Sequence, residues 1–537
     1  MKRNRLFLLI AMLPALQVMQ AQTSYEAAAL LDADLSGTAR YVGMGGAMSA
    51  LGADMSTMGT NPAGTALYRS WDAAFSYGGS VVSQRTQSNP GNNRSFNAYG
   101  SWDNMGVVIT NKISNTDALR FVNVGFNYRN VKRFGSKMGM TANLGGRLSQ
   151  TGQMAQQVWE NRAQPSLGIE GIVPEDFDVR DRYSFYNTNY YGEDWVGWLT
   201  LLGTDARLID ASALDNGAYL PSEDCGYSEV LSGGIDAYDF NLSFNLMDAV
   251  YLGATLTAYD VDRALESTYS ETFYGGGYTL QNFYRTVGKG YDLKLGAIVR
   301  PFPESSFRIG VSATTPTIYS LHDYNSAIIS STVTFDDFDE AGEFVGQHTE
   351  SFSMDTQSED ALGGDFRTDY TMIAPAKLNV SLGGTIGRSF ALGAEYEYTD
   401  FGSIALYDVY GDENVYMNEH TAAYFTGQHT LRVGAEKAFG SFYTRLGYNF
   451  QTGGYKDDAY KAIPINSVQT NTDYTNIKST QNFTCGIGFR GDALYVDAAL
   501  LYSTQKADFY PFDDPELQAT QLTRNLVKGM MTVGMRF

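Results

Sequence analysis

The feature that most constrains this chain is a period of two in its hydrophobic residues from residue 71 onwards. Between residues 291 and 300, for example, Leu293 and Leu295 alternate with Asp292 and Lys294. This alternation predicts strands with one apolar and one polar face. A soluble sandwich has the same period, but here the polar face carries charges and many glycines, and the apolar face carries Tyr and Phe near strand ends. That combination is typical of a membrane β-barrel.

The segmentation of the alternation predicts an all-β fold: a fourteen-stranded antiparallel transmembrane β-barrel over residues 71–537. The expected strands lie near 72–84, 95–112, 120–132, 234–246, 250–264, 284–300, 305–318, 377–387, 390–403, 430–438, 441–452, 480–490, 493–504 and 525–537. Short turns, such as 247–249 and 439–440, alternate with the long connections 265–283, 319–376, 404–429, 453–479 and 505–524. Short turns on one rim and long extracellular loops on the other are typical of outer-membrane barrels.

The first residues predict export. Lys2, Arg3 and Arg5 precede the apolar stretch 6–16, and Ala21 closes a cleavage site, so residues 1–21 have the layout of a signal peptide. No later apolar run reaches 18 residues, which excludes helical membrane spans. We therefore expect a multi-pass protein of the cell outer membrane, in contact with outer-membrane lipid and lipopolysaccharide.

The charge and the motif content exclude several functions. Without residues 1–21 the chain has 35 basic and 59 acidic residues, a net charge of −24 that should repel nucleic acid. Acidic clusters such as 336–340 are interpreted as solvated loops or, alternatively, as a calcium site. Four His and two distant Cys give no zinc spacing, and no nucleophile elbow, His-Glu-x-x-His or phosphate loop occurs. We expect no catalytic residues, no metal and no cofactor, and hence no enzyme.

Residues 22–70 precede the first strand and are expected to form an N-terminal hatch inside the barrel lumen. The segment 36–64 is rich in Gly and Ala, which permits tight turns, and Asn61-Pro62 predicts a stiff turn. A free periplasmic tail is the weaker alternative, because it would leave Met44, Met48 and Leu51 in water.

The same segment resembles a known family. Arg40-x-x-Gly-Met-Gly-Gly-Ala, a following Ala50-x-x-Ala-Asp and Asn61-Pro62-Ala63-Gly64 are similar to the hatch of the FadL/TodX outer-membrane transporters. Weaker matches follow at 308–316, 374–375 and 398–401. The resemblance implies fourteen strands, hatch residues Asn61, Pro62, Ala63 and Gly64, and hydrophobic cargo such as long-chain fatty acids or aromatic hydrocarbons. It also implies a lateral exit beside a kinked strand, which is not readable in this sequence.

The longest connection, 133–233, is expected to be partly helical. Trp195, Trp198, Leu199 and Leu202 are spaced as one face of a helix. The stripe either packs on neighbouring protein or forms an exposed capture site for an apolar ligand.

Two functions remain open. The first is a channel for passive uptake of hydrophobic small molecules. The second is a surface adhesin or structural barrel whose acidic loops bind a partner. A continuous apolar cavity from loop 133–233 to the hatch would favour transport, and a lumen packed with side chains would favour the second.

Overall fold

The computed structural model describes residues 22–89, 91–115, 117–155, 197–210, 218–359, 361–387, 389–464 and 467–537. These residues form a closed antiparallel β-barrel with fourteen wall strands, which confirms the predicted fold class. The first and last strands pair from Asp72↔Arg536 to Gln87↔Gln521, and this pairing closes the barrel.

The strands are β1 Asp72–Gln87, β2 Asn92–Lys112, β3 Leu119–Arg133, β4 Ser136–Leu148, β5 Ile209–Asp210, β6 Ala218–Tyr219, β7 Ser222–Leu246, β8 Val250–Phe273, β9 Gly276–Val299, β10 Arg308–Thr314, β11 Thr317–Phe338, β12 Phe344–Asp355, β13 Phe366–Ala374, β14 Lys377–Ile386, β15 Phe390–Asp400, β16 Ala405–Tyr407, β17 Gly427–Phe439, β18 Phe442–Thr452, β19 Tyr474–Arg490, β20 Leu494–Tyr510 and β21 Thr520–Arg536. The α-helices are α1 Ser24–Ala29, α2 Ala39–Gly43, α3 Trp198–Asp205 and α4 Val415–Tyr424, and short 3-10 helices span Met55–Gly59, Pro62–Leu67 and Phe401–Ser403.

The two faces of the wall have the predicted character. On β9, Leu293 and Leu295 are 39% and 52% exposed on the outside, whereas Asp292 and Lys294 are buried inside. Exposed apolar side chains recur around the barrel, among them Phe240, Leu382 and Leu446. A band of this kind is stable in lipid rather than in water. Among the described residues, no helix is both long and apolar enough to span a membrane.

Several strands continue beyond the predicted ends. The connection 265–283, expected as a long loop, is the upper part of β8 and β9 joined at residues 274–275. Here the pattern is inverted: Glu266 and Thr272 face outwards, and Leu265, Tyr269 and Phe273 are buried inside. The physical reason is that strands outside the bilayer face water, so their apolar residues point into the barrel. The outward-facing apolar residues that indicate a membrane strand therefore stop at this level.

The connection 319–376 is corrected in the same way. Its residues continue strand β11, form the hairpin strand β12, which pairs with β11, and return as β13. The extended strands, α3 and the segments around residues 140 and 510 enclose an extracellular core that contains Leu280, Ile329, Phe509 and Phe512.

Candidate functional site

The lower lumen is filled by residues 36–67, here called the floor. It contains α2 and the 3-10 helices Met55–Gly59 and Pro62–Leu67. Met44, Met48 and Met55 are fully buried against the wall, and Leu51 is 7% exposed. The segment therefore lies inside the barrel at the level of the apolar band.

The four predicted hatch residues lie together against strands β8 to β10. Asn61 caps the 3-10 helix Pro62–Leu67, with its Oδ1 accepting from the Ala63 N–H at 3.1 Å. Its Nδ2 lies 3.4 Å from the Ala297 carbonyl oxygen and 3.5 Å from that of Val311. Gly64 is required locally, because a Cβ there would lie 2.5 Å from Thr57 Oγ1. These contacts show placement, and a gating role for these residues remains a proposal.

A row of wall glycines lets the floor backbone touch the barrel. The strand register sets Gly383 opposite Gly393, Gly393 opposite Gly434, and Gly434 opposite Gly447. A Cβ at Gly393 would lie 2.1 Å from the Ala47 carbonyl oxygen, and one at Gly434 would lie 2.3 Å from that of Met44. No side chain fits at these glycines, so the floor backbone packs directly on the backbone of β14, β15, β17 and β18.

Buried ion pairs add to this seat. Arg40 of the floor makes two 3.1 Å hydrogen bonds to Glu436, which also accepts from Arg445 at 2.7 Å. Arg445 in turn bonds Asp497 at 2.7 Å. Buried charges need such partners, so removing one member should be costly.

Residues 22–35, here called the upper segment, rise from the floor through an apolar chamber. Its wall is formed by Phe134, Ile235, Val261, Leu321, Tyr370 and Met372. Tyr25, Leu30 and Leu31 of the upper segment are at most 9% exposed in this chamber. The Tyr25 ring lies 5.3 Å from the rings of Phe425, Tyr455 and Tyr474. The upper segment thus occupies the apolar part of the lumen.

Polar contacts tie the upper segment at both ends. Glu26 forms a buried pair with Lys461 at 2.7 Å, and Tyr25 donates to Asn476 at 2.7 Å. Lower down, Lys132 lies 2.7 Å from Asp32 and 3.0 Å from Asp34. The chamber also contains the nearly buried Arg263, whose Nε and Nη1 have no hydrogen-bond partner among the described residues.

Helix α4 closes the chamber from the extracellular side. Ser24 Oγ donates to the Met417 carbonyl oxygen at 3.2 Å, and Thr421 Oγ1 donates to Ser24 Oγ at 2.7 Å. His420 is 7% exposed between the rings of Tyr424 and Tyr460. Burial lowers the pKa of His420 from 6.5 to about 4, because the charged imidazolium loses its water there.

The wall ladder is interrupted beside the chamber. Strands β2 and β3 pair only from Asn104↔Arg129 to Lys112↔Phe121 among the described residues. Above Phe134 and Gly135 the chain continues as β4, which pairs with β7. The inward-facing Thr86 donates to the Gly139 carbonyl oxygen at 2.6 Å, so β4 leans into the lumen. This is a kink in the third wall strand, and the alternating sequence gave no signal for it.

Among the described residues, the floor and the upper segment fill much of the lumen, and two small cavities lie beside them. A cavity of about 20 Å³ near the kink, lined by Tyr99, Lys132 and Arg524 among others, has room for about one water molecule. A second cavity, of about 10 Å³, lies beside Arg40 and Asp72. Neither is an apolar passage. Among the described residues, no group of three or more His, Cys, Asp or Glu could hold a metal ion.

The predicted capture stripe is buried. Trp198 is 1% exposed, and Leu199 and Leu202 are fully buried in the extracellular core. Thr200, two positions after Trp198 on the other side of the helix, is also buried, and its Oγ1 donates to the Met154 carbonyl oxygen at 3.0 Å. Trp195 lies outside the described residues. Helix α3 begins at Trp198, and the three described residues of the stripe pack on neighbouring protein. Capture of an apolar ligand by this stripe stays a prediction.

Comparison with known proteins finds similarity only among solved structures. No family model and no curated protein matches the sequence. A Pseudomonas aeruginosa FadL homologue matches with 12% identity and a TM-score of 0.49, over 94% of this chain and 99% of that chain. The P. putida toluene transporter TodX matches with 9% identity and a TM-score of 0.46, and the Ralstonia pickettii toluene transporter TbuX with 13% and 0.42, both over the same shares. The barrel fold of this chain is established by its own strand pairing.

Proposed function

We propose that this chain is an outer-membrane channel for passive uptake of hydrophobic molecules such as long-chain fatty acids or aromatic hydrocarbons. The observation that carries the proposal is the apolar chamber, which reaches the interrupted ladder at Phe134 and is filled by a segment of the chain itself. In this proposal the closed structure is the resting state, and cargo replaces Tyr25, Leu30 and Leu31.

The polarity of the lumen supports a lateral exit. Below the chamber the floor and its ion pairs fill the barrel, so an apolar molecule would have to displace Arg40, Glu436 and Arg445 to reach the periplasm. Breaking such pairs is expensive. The kink at residues 134–135 provides a shorter route, from the chamber into the membrane. Arg263 offers cationic donors to a cargo that has an anionic end.

The test compares uptake by vesicles that have lipopolysaccharide in the outer leaflet, with and without the purified barrel. The barrel should speed the entry of labelled palmitate and labelled toluene and should not change that of labelled glucose. Leu321→Asn places an amide in the chamber, which costs about 0.5–2 kcal/mol for an apolar cargo and should slow uptake about 2- to 30-fold. Leu526→Asn, at a 4% exposed wall leucine beside the floor, is the matched control and should not slow uptake. Equal slowing by both variants would contradict a route through the chamber.

A second candidate function is favoured by the packing of the floor and the upper segment in the described part of the lumen: a surface barrel whose acidic loops bind a partner. Absence of uptake by the wild-type barrel and by a barrel lacking residues 22–31 would support this function over transport. Both barrels must first show the same strand content by circular dichroism.

A further inference from the structure

The hairpin of β11 and β12, residues 328–355, extends beyond the barrel wall and has two different faces. One face is covered by the extracellular core, in which Ile329 and Val333 are buried. The other face is exposed and carries cross-strand hydroxyl pairs at 2.9–3.1 Å. These pairs are Ser330–Ser353, Thr332–Ser351 and Thr334–Thr349. The hairpin is therefore a fixed, extended sheet and not a loose loop.

In the described part of the chain, no strand pairs with the outer edge of this sheet. Among the described residues, β12 pairs with β11 alone, over Ile328↔Asp355 to Phe338↔Phe344. The backbone N–H and C=O groups of alternate residues point to opposite edges of a strand. The groups of β12 that point away from β11 therefore have no strand partner among the described residues. Natural edge strands are commonly blocked by proline, lysine or a bulge. Residues 344–355 contain no Pro, Lys or Arg, and the register shift lies at the tip, at residues 337–338.

The charge of the hairpin selects what can pair. Residues 328–355 include seven acidic residues and no lysine or arginine. A second copy of this chain would bring equal negative charge to the same edge, and like charges on adjacent strands are destabilising. A cationic strand meets the opposite situation. Exposed Phe338, Phe344 and Val345 at the tip, 57–62% exposed, add apolar contact area.

We propose that the free edge of β12 binds a lysine- or arginine-rich extended segment of another protein, which adds to the sheet as a further strand. Backbone hydrogen bonds supply the pairing, and the acidic side chains supply the preference for a basic chain. This docking site is extracellular and does not depend on whether the barrel transports cargo.

The experiment measures binding of a twelve-residue peptide of alternating lysine and valine to the full barrel in nanodiscs. We expect saturable binding that weakens as salt is raised, because rim charges are screened. A peptide with glutamate in place of lysine, and the lysine peptide N-methylated along both edges, should not bind. If the glutamate peptide binds as well as the lysine peptide, the preference for a basic chain is wrong. If the N-methylated peptide binds as well, binding does not occur by strand addition.

Two protein variants complete the test. The hairpin variant neutralises four exposed acids and should weaken binding at least tenfold: Asp336→Asn, Asp339→Asn, Glu343→Gln and Glu350→Gln. The matched control neutralises four acids in the region 404–429 and should bind as wild type: Asp408→Asn, Asp412→Asn, Glu413→Gln and Glu419→Gln. Equal weakening in both variants would show general attraction to an acidic surface and contradict the site. Dimers of the wild-type barrel that the hairpin variant abolishes would instead identify a second copy as the occupant.

Discussion

The floor and the upper segment are consecutive in sequence, yet different interactions hold them in the lumen. The floor touches glycines of the wall with its backbone, as Met44 does at Gly434, and Arg40 anchors it in buried charge. The upper segment instead inserts Tyr25, Leu30 and Leu31 into an apolar chamber. A bound ligand cannot reproduce the backbone contacts that the floor makes with the wall glycines. An apolar molecule of similar size can replace the apolar side chains of the upper segment in the chamber. The comparison predicts that the upper segment moves while the floor stays.

The largest effect is expected from Tyr25→Ala combined with Leu30→Ala. Loss of two large buried side chains should destabilise docking of the upper segment by about 4–8 kcal/mol. Hydrogen–deuterium exchange should show residues 24–31 unprotected and residues 39–67 still protected. If both regions lose protection together, the two are one cooperative unit and the comparison fails.

The converse change is Gly393→Val with Gly434→Val. The added side chains would overlap the Ala47 and Met44 carbonyl oxygens, which should destabilise floor docking by about 2–6 kcal/mol. Exchange should now increase over residues 39–67. Gly529→Val is the control, because a Cβ there meets nothing within 4 Å. A protected floor in the double variant would show that the wall can yield at this row.

Acid should loosen the upper segment selectively through His420. Its pKa is about 4 in the folded protein and 6.5 ordinarily, so the folded state disfavours the protonated form. The free energy that holds α4 against the chamber is therefore retained in full above about pH 6.5. It decreases as the pH falls towards 4, by about 3 kcal/mol at most. Exchange at residues 24–31 and 415–424 should rise over this range. His420→Gln removes the titrating group, and an unchanged pH response in this variant would assign the effect to another residue.

The smallest effect is expected from Asn61→Ala, which removes one helix cap and two long hydrogen bonds at the floor. The cost should be about 1 kcal/mol, too little to unseat the floor. Asn61→Asp keeps the cap acceptor but replaces the Nδ2 donor with an oxygen beside the Ala297 and Val311 carbonyl oxygens, so it should not recover this cost. If uptake changes strongly in Asn61→Ala while floor exchange does not, Asn61 gates transport directly and the floor is less static than the comparison states.

Local periodicity determined most of the wall. Segments such as 291–300 and 390–399 have an apolar residue at every second position because lipid lies on one side and the lumen on the other. The strand count and the short turns followed from this pattern alone. The composition of residues 36–64 also predicted a segment folded inside the lumen, since Met44, Met48 and Leu51 need an apolar environment.

Only the tertiary structure decided the features that depend on which strands meet. The row from Gly383 to Gly447 is scattered over 65 positions of the sequence and becomes one seat only through the strand register. The kink at Phe134 and Gly135 has no pattern of its own, because it is a loss of pairing between β2 and its neighbour. The spacing of Trp195, Trp198, Leu199 and Leu202 predicted a helix with one apolar face. The spacing alone does not show whether that face contacts a ligand or neighbouring protein. Whether a residue of the extracellular core is buried depends on segments that are distant in sequence. The burial of Trp198, Leu199 and Leu202 could therefore be read only from the tertiary structure.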